Sequence, residues 1–437
     1  MNRKNKVVIQ GGRVIDPTTG FDQIADVYID DGVVQAIEPY VNGVPTPKPD
    51  FVAHEKLDAK GLIVAPGLVD LAARLREPGF EYRATLESEM QAALTGGITS
   101  LSCPPDTDPV LDEPGLVEML KHRARNLQGA QLYPLGALTV GLKGEAITEM
   151  AELTEAGCVG FSQSSEPIFD TQALQRAMQY AATYGYTVWL HPQEPYLARG
   201  GVAHSGAVAS RLGLSGIPVS AEKLALLTIF ELVRVTNCRV HIARLSSAAG
   251  VDLVRSAKAE GLPITADVAV HHLHLIDVDI GFFDSRYRVI PPFRSQRDRE
   301  GIRQGLVDGT IDAICSDHTP VDDDAKQLPF ADAEPGTTGL ELLLPLTLKW
   351  ASEDQVPMAQ ALSKITAGAA NILGATQAGR LTVGSRADIT VFDPAQHWLV
   401  SAASLVSQGK HTPYTGHEIA GRARYTLVGG RCVYRAE

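Results

Sequence analysis

No stretch of the sequence approaches the roughly 20 consecutive apolar residues that a membrane-crossing helix needs. The opening MNRKNKVVIQGG also lacks the apolar core and small-residue cleavage site of a secretory leader, so the expected location is the cytoplasm. Cysteine is scarce. Cys103, Cys158, Cys238, Cys315 and Cys432 are scattered, odd in number and never spaced C-x-x-C. A disulfide framework and a zinc-thiolate site are therefore not expected, and the five read as reduced, buried small hydrophobes. Positive charge is in deficit: 39 Lys and Arg against 51 Asp and Glu give a net charge of −12. That excludes a generic polyanion binder, and neither nucleic acid nor a membrane is an expected partner. Internal repeats and low-complexity tracts are absent.

What is present is ordinary globular composition, with 44% hydrophobic and 21% charged residues over 437 positions, enough for a large barrel with an accessory domain. The two ends share a texture that the middle lacks. From Val7 to Ile37, short apolar runs are broken by Gly and Asp turns, and GRLTVGSRADITVFDP and RARYTLVGGRCVYRAE repeat the pattern near the other end. Both ends are expected to build one small β-sandwich domain from residues 1–60 and 389–437. Residues 61–388 between them alternate short apolar strands with helical patterns, as in GGITSLSCPP, TVWLHP and DAICSDHTP. Eight such strands indicate an α/β domain, a TIM (β/α)8 barrel, whose chemistry gathers at the C-terminal strand ends. The Pro-rich stretch from Val44 to Asp50 reads as an exposed connector, and Val321 to Gly336 as a long polar loop of the kind that forms lids.

The run PGLVDLAARLREPGFEYRATLESEMQAALTGGITSLSCPPDTDPVLD closely resembles the first metal-binding region of type I dihydroorotases in the amidohydrolase superfamily. Further matches follow in order: GCVGFSQSSEPI, HPQEPYL, LGLSGIP, VHIARLSS, ITADVAVHHLHL, RVIPPFRS, ICSDHTP, EPGTTGLE and GRLTVGSRADITVFDP. The resemblance implies an amidohydrolase-type barrel that hydrolyses or closes a cyclic amide at one or two zinc ions. It also assigns the ligand positions, and most of them are substituted. The family's His-x-His pair falls on Ala72 and Arg74, its bridging carboxylate on Gln163, and its second strand-end histidine on Arg244. Alanine has no lone pair and arginine stays protonated, so neither can ligate a cation. His191 and Asp317, the latter at the family's catalytic base position, are the residual ligands. Two protein groups do not close a zinc sphere, so no cofactor is expected. Arg74 and Arg244 are expected instead to converge on Asp317 and replace the metal's charge.

The substrate positions implied by the family fare similarly. Arg76 retains the carboxylate-binding arginine, whereas Asp106, Ile290 and Val321 stand where the family has two asparagines and a histidine. Some residues also carry plainer readings. His272 and His274 in the HHLH cluster would share a strand face but read as structural. Asp106 and Asp108 lie in a Pro-rich turn and read as solvated or capping, and Asp322 to Asp324 as a solvated loop. The closest likeness is to noncatalytic dihydroorotase-like members that accompany the aspartate transcarbamoylase catalytic subunit. That implies a homo-oligomeric structural or regulatory subunit of pyrimidine biosynthesis. The alternative is an active dihydroorotase or other cyclic amidohydrolase with a rearranged zinc site, and His318 beside Asp317 would then be available to it.

Overall fold

The computed structural model describes residues 6–46, 48 and 50–436. The opening five residues, and Pro47 and Pro49 of the Pro-rich connector, lie outside them. The two chain ends meet in one eight-stranded sheet: Lys6–Asp16, Phe21–Asp30, Val33–Pro39, Glu55–Asp58, Ile63–Pro66, Ile389–Leu399, Glu418–Val428 and Arg431–Arg435. The join is Ile63–Pro66, which runs parallel to the first strand (Arg13 opposite Ile63) and antiparallel to Ile389–Leu399 (Ile389 opposite Pro66). The sheet folds over its own core because the first strand changes partner halfway along. Val7–Gln10 pairs with Glu55–Asp58, and Arg13–Val14 with Ile63–Val64, the register slipping between Ile9 and Gly12. Glycine is needed at this bend. Gly11 has φ +72°, and a Cβ on Gly12 would lie 2.5 Å from Val64 Cγ2.

The domain therefore reaches past both boundaries drawn from sequence. Ile63–Pro66 belongs to the sheet although it lies beyond residue 60, and Leu381 and Ala387 pack into its core with Ile9, Val27 and Ile389. The reason is local. GLIVAPGLVD reads as one apolar strand, but Gly67 divides it, giving Ile63–Pro66 to the sheet and Leu68–Asp70 to the barrel. Gly67 sits against Thr99, where a Cβ would come within 2.1 Å of Oγ1, and its N–H donates to the Asp388 carbonyl at 2.8 Å. Gly67→Ala is expected to destabilise the protein by about 1–3 kcal/mol through overpacking at this junction. A denaturant midpoint equal to that of the wild type would show that the junction has slack.

The barrel strands are Leu68–Asp70, Ile98–Cys103, Gln131–Pro134 continuing as Gly136–Ala137, Phe161–Ser162, Thr187–Leu190, Arg239–Ile242, Ile264–Ala269 and Ala313–Cys315. Their pairings are parallel, and the ring closes where Ala73 bridges His318. Helices lie between strands, several started by side-chain caps: Thr85 for Leu86–Thr95, Ser247 for Ala248–Ala259 and Ser295 for Gln296–Val307. The motifs that survive in the sequence prove to be ties between elements. Glu222 takes hydrogen bonds from the backbone and hydroxyls of Ser246 and Ser247, while Arg294 donates to Ser246 Oγ and to the Ile217 carbonyl. All five cysteines are free thiols, four of them buried.

Candidate functional site

At the C-terminal mouth of the barrel, three side chains project from residues with left-handed backbone: Arg76 (φ +61°), Arg244 (φ +60°) and Asp317 (φ +48°). Such conformations are costly for non-glycine residues and persist where surrounding contacts fix them. Asp267, buried on the seventh strand, fixes one of them by accepting the Arg244 backbone N–H at 2.5 Å while its other oxygen faces His241.

The two arginines at family ligand positions do meet on the aspartate. Asp317 Oδ1 lies 3.2 Å from Arg244 Nη1 and 3.6 Å from Arg74 Nη1, and Asp317 is only 5% exposed. Arg244 also donates to the Ile290 carbonyl (3.3 Å) and to Ser165 Oγ (2.9 Å). Arg74 donates through Nε to Asp106 Oδ2 at 2.7 Å and through Nη1 to Thr319 Oγ1 at 3.0 Å. Burial pushes the Asp317 carboxyl above its ordinary range, only partly opposed by Arg244 and Arg74. Burial acts the same way on Asp106, but there Arg74, Arg76 and Arg244 outweigh it and hold the carboxyl below its ordinary range.

Asp106, its side chain 25% exposed, is thus not simply a solvated or capping residue. It is the ion partner of Arg74, because the turn after the second strand folds back into the mouth instead of out to water. Its neighbour Asp108 is exposed, as expected.

The remaining ligand positions are committed elsewhere. Ala72 contributes backbone alone, its carbonyl accepting from the His318 N–H at 2.9 Å. Gln163 spends both ends of its amide internally: Oε1 accepts from Thr139 Oγ1 at 2.9 Å and Nε2 donates to the Leu142 carbonyl at 2.7 Å. His191 Nδ1 faces the Ala243 carbonyl at 3.3 Å, and a carbonyl can only accept, so that nitrogen carries the proton. Burial, reinforced by the Arg244 charge, holds the His191 pKa well below its ordinary value, so the ring is neutral and Nε2 is a buried acceptor with no partner. Among the described residues no group of three His, Cys, Asp or Glu side chains is placed to hold a metal ion. The donor set does not fit a zinc sphere, which takes at least three protein ligands, and two guanidinium groups repel a cation from Asp317.

Arg76, the family's carboxylate-binding position, donates through Nε to the Pro320 carbonyl at 2.9 Å, and its Nη2 lies 3.8 Å from Glu334. Burial, with the Arg74 charge, lowers its pKa to about 10. Glu334 also pairs with Arg83. The loop from Val321 to Gly336 is tied down over this region: Lys326 Nζ donates to the carbonyls of Ser285 and Arg288 at 3.1 Å each, and the Gly336 N–H donates to the Arg288 carbonyl at 2.9 Å. Val321, the first residue of the loop, is buried. The acidic run is not wholly a solvated loop, since Asp323–Gln327 is a short helix and Asp323 accepts from His411 at 2.8 Å.

The HHLH cluster also differs from expectation. Val270–Leu273 is a tight 3-10 turn, not strand, so His272 and His274 do not share a strand face. His272 Nε2 lies 3.2 Å from the Pro291 carbonyl and His274 Nε2 2.9 Å from the Leu346 carbonyl, the structural roles expected of them. Burial lowers their pKa values to about 4.

Sequence reasoning missed the group that holds His318. Its Nδ1 accepts the Gly339 N–H at 3.1 Å, so Nε2 carries the proton and donates to Glu89 Oε2 at 2.6 Å. Glu89 also accepts from Ser88 Oγ, Ser407 Oγ and the Gln408 N–H. His318 therefore points away from Asp317 and locks the eighth strand to the C-terminal segment. A signal existed: Glu89 falls beside Leu86, Met90 and Ala93 on the apolar face of its helix, and a carboxylate there demands partners.

Comparison with known proteins agrees with this architecture. The dihydro-orotase-like family model matches residues 61–249. A dihydroorotase-like protein of Pseudomonas aeruginosa is 44% identical over 98% of this chain and 99% of its own, and a dihydroorotase of Geobacter sp. strain M21 is 40% identical over 98% and 99%. The solved L-hydantoinase from Arthrobacter aurescens superposes with a TM-score of 0.87 over 99% of this chain and 96% of its own, at 24% identity, and so shares the fold. With relatives this similar along nearly its whole length, the chain belongs to the dihydroorotase-like family.

Proposed function

We propose that this chain acts in pyrimidine metabolism as a dihydroorotase-like protein without turnover of its own, a structural or regulatory companion of the aspartate transcarbamoylase catalytic subunit. The carrying observation is the pair of guanidinium groups, Arg74 and Arg244, on one oxygen of Asp317. A base at this position would draw its proton from a metal-activated water, and the two permanent cations on Oδ1 stand where metal ligands would converge. Support for the companion role comes from the contrast between a disabled mouth and intact scaffold ties, together with the dihydroorotase-like relatives in Pseudomonas aeruginosa and Pseudomonas putida.

The test combines metal analysis of protein purified without added metal, a dihydroorotate hydrolysis assay with and without zinc, and co-purification with an aspartate transcarbamoylase catalytic subunit. The expected result is substoichiometric zinc, no turnover and a stable complex. Near-stoichiometric zinc with turnover abolished by Asp317→Asn would establish the enzyme reading instead. The combined replacement Ala72→His, Arg74→His and Arg244→His is expected to restore zinc uptake without turnover, because Asp106, Ile290 and Val321 still occupy substrate positions. Turnover in that variant would confine the damage to the metal ligands.

A further inference from the structure

A cavity of about 400 Å³ opens between the ends of the fourth and fifth barrel strands; Gln163 and His191 are among its walls, whereas Arg74, Arg76, Arg244 and Asp317 are not. Leu174 of the helix Thr171–Tyr184 and Ile229 of the helix Val219–Thr236 form an apolar side. On the solvent side stand Phe169, from the loop before Thr171–Tyr184, and Tyr196, from the short helix Pro195–Ala198, with ring centroids 5.3 Å apart at 69°. These rings are 49% and 65% exposed, so the core does not require them, and they present an aromatic surface at the cavity entrance. A volume of this size suits a small organic molecule.

The polar lining narrows the chemistry. Ser164, 6% exposed, and His191 both line the cavity and carry buried polar atoms without partners, Oγ and Nε2. Because His191 Nδ1 holds the ring proton, its Nε2 can only accept, so a ligand reaching it must bring a donor. The charged groups in the lining are Glu166, Glu194 and Arg199, and the Arg244 guanidinium that donates to the lining residue Ser165 is paired with Asp317, a balance that disfavours anions.

We propose that this cavity binds an uncharged, planar nitrogen heterocycle that stacks on the Phe169 ring with its edge toward the Tyr196 ring and directs an N–H toward Ser164 and His191. The His191 contact needs Nε2 free of metal, so this inference rests on the reading of the barrel mouth given above.

The test is calorimetric titration of the full-length protein with adenine, benzimidazole and indole, set against the anions AMP and indole-3-acetate. At least one uncharged ring is expected to bind once per chain, with its anionic counterpart about tenfold weaker or more. Phe169→Ala and Tyr196→Ala, both at exposed positions, are each expected to weaken binding about threefold to tenfold. Ala225→Trp, which fills the cavity from the flank of its helix, is expected to abolish it. The proposal is overturned if none of the three rings binds at millimolar concentration, if anions bind as well as neutral rings, or if binding survives both Ala225→Trp and the Phe169→Ala/Tyr196→Ala double replacement.

Discussion

Replacing Arg244 by alanine is expected to lower stability by about 3–5 kcal/mol, the usual result of leaving a buried charge without its counterion. Asp317 would keep only the 3.6 Å contact to Arg74, which is itself engaged by Asp106, and Ser165 and the Ile290 carbonyl would lose their donor. Equilibrium unfolding in urea measures the loss. A penalty under about 1 kcal/mol, the range of surface pairs, would mean that Arg244 is not the counterion of Asp317. The double replacement Arg244→Met with Asp317→Leu removes both charges at similar volume and is expected to come much closer to the wild type.

The pH dependence of the Arg244→Ala penalty has a definite sign. The folded-state pKa of Asp317 is raised, so the stability linked to its proton is present at acidic pH and lost as pH rises through that pKa. Removing Arg244 raises the pKa further and deepens the loss. The difference between wild type and Arg244→Ala therefore grows from acidic to neutral pH. A difference that shrank over that interval would contradict the ion-pair account.

Glu89→Ala is the second large effect, again about 3–5 kcal/mol, since it strips a fully buried carboxylate from the donors of His318, Ser407, Ser88 and Gln408. The readout is unfolding, together with hydrogen exchange of residues 400–417, which should lose protection before the barrel does. Protection unchanged in that segment would show that Glu89 does not anchor it. Glu89→Gln keeps an acceptor and should cost less. Burial pushes the Glu89 carboxyl up, but His318, Ser407 and Ser88 outweigh it, and the net pKa is lowered. Its contribution is thus present above the ordinary glutamate range and lost as pH falls below it, so the gap between wild type and Glu89→Gln should narrow on acidification.

These expectations rest on features of unequal legibility. The eight barrel strands and the shared sheet of the two ends were readable because short apolar runs and the Gly and Asp turns that break them are local signals. The site positions Ala72, Arg74, Gln163 and Arg244 were readable only through family resemblance, which places them at strand ends. Where reading failed, the cause was a contact distant in the chain. Asp106 resembled an exposed turn residue until Arg74, 32 positions away, took its carboxylate. The HHLH run resembled strand because a 3-10 turn leaves no mark in alternation. Glu89 and Ser407, 318 positions apart, carry no joint pattern in one sequence.

By itself, then, the sequence determined that Ala72, Arg74 and Arg244 cannot ligate a cation, since a lone pair absent from Ala72 and a proton fixed on Arg74 and Arg244 are properties of the residues and not of their surroundings. What those guanidinium groups contact was decided by tertiary structure. Whether those guanidinium groups reach Asp317, reach each other's partners or lie free depends on backbone conformations set by Asp267 and by the closing bridge from Ala73 to His318. The same holds for the scarcity of positive charge with which the sequence presents itself. A net charge of −12 governs the solvated surface, whereas the energy of a buried carboxylate depends on the few cations within contact distance.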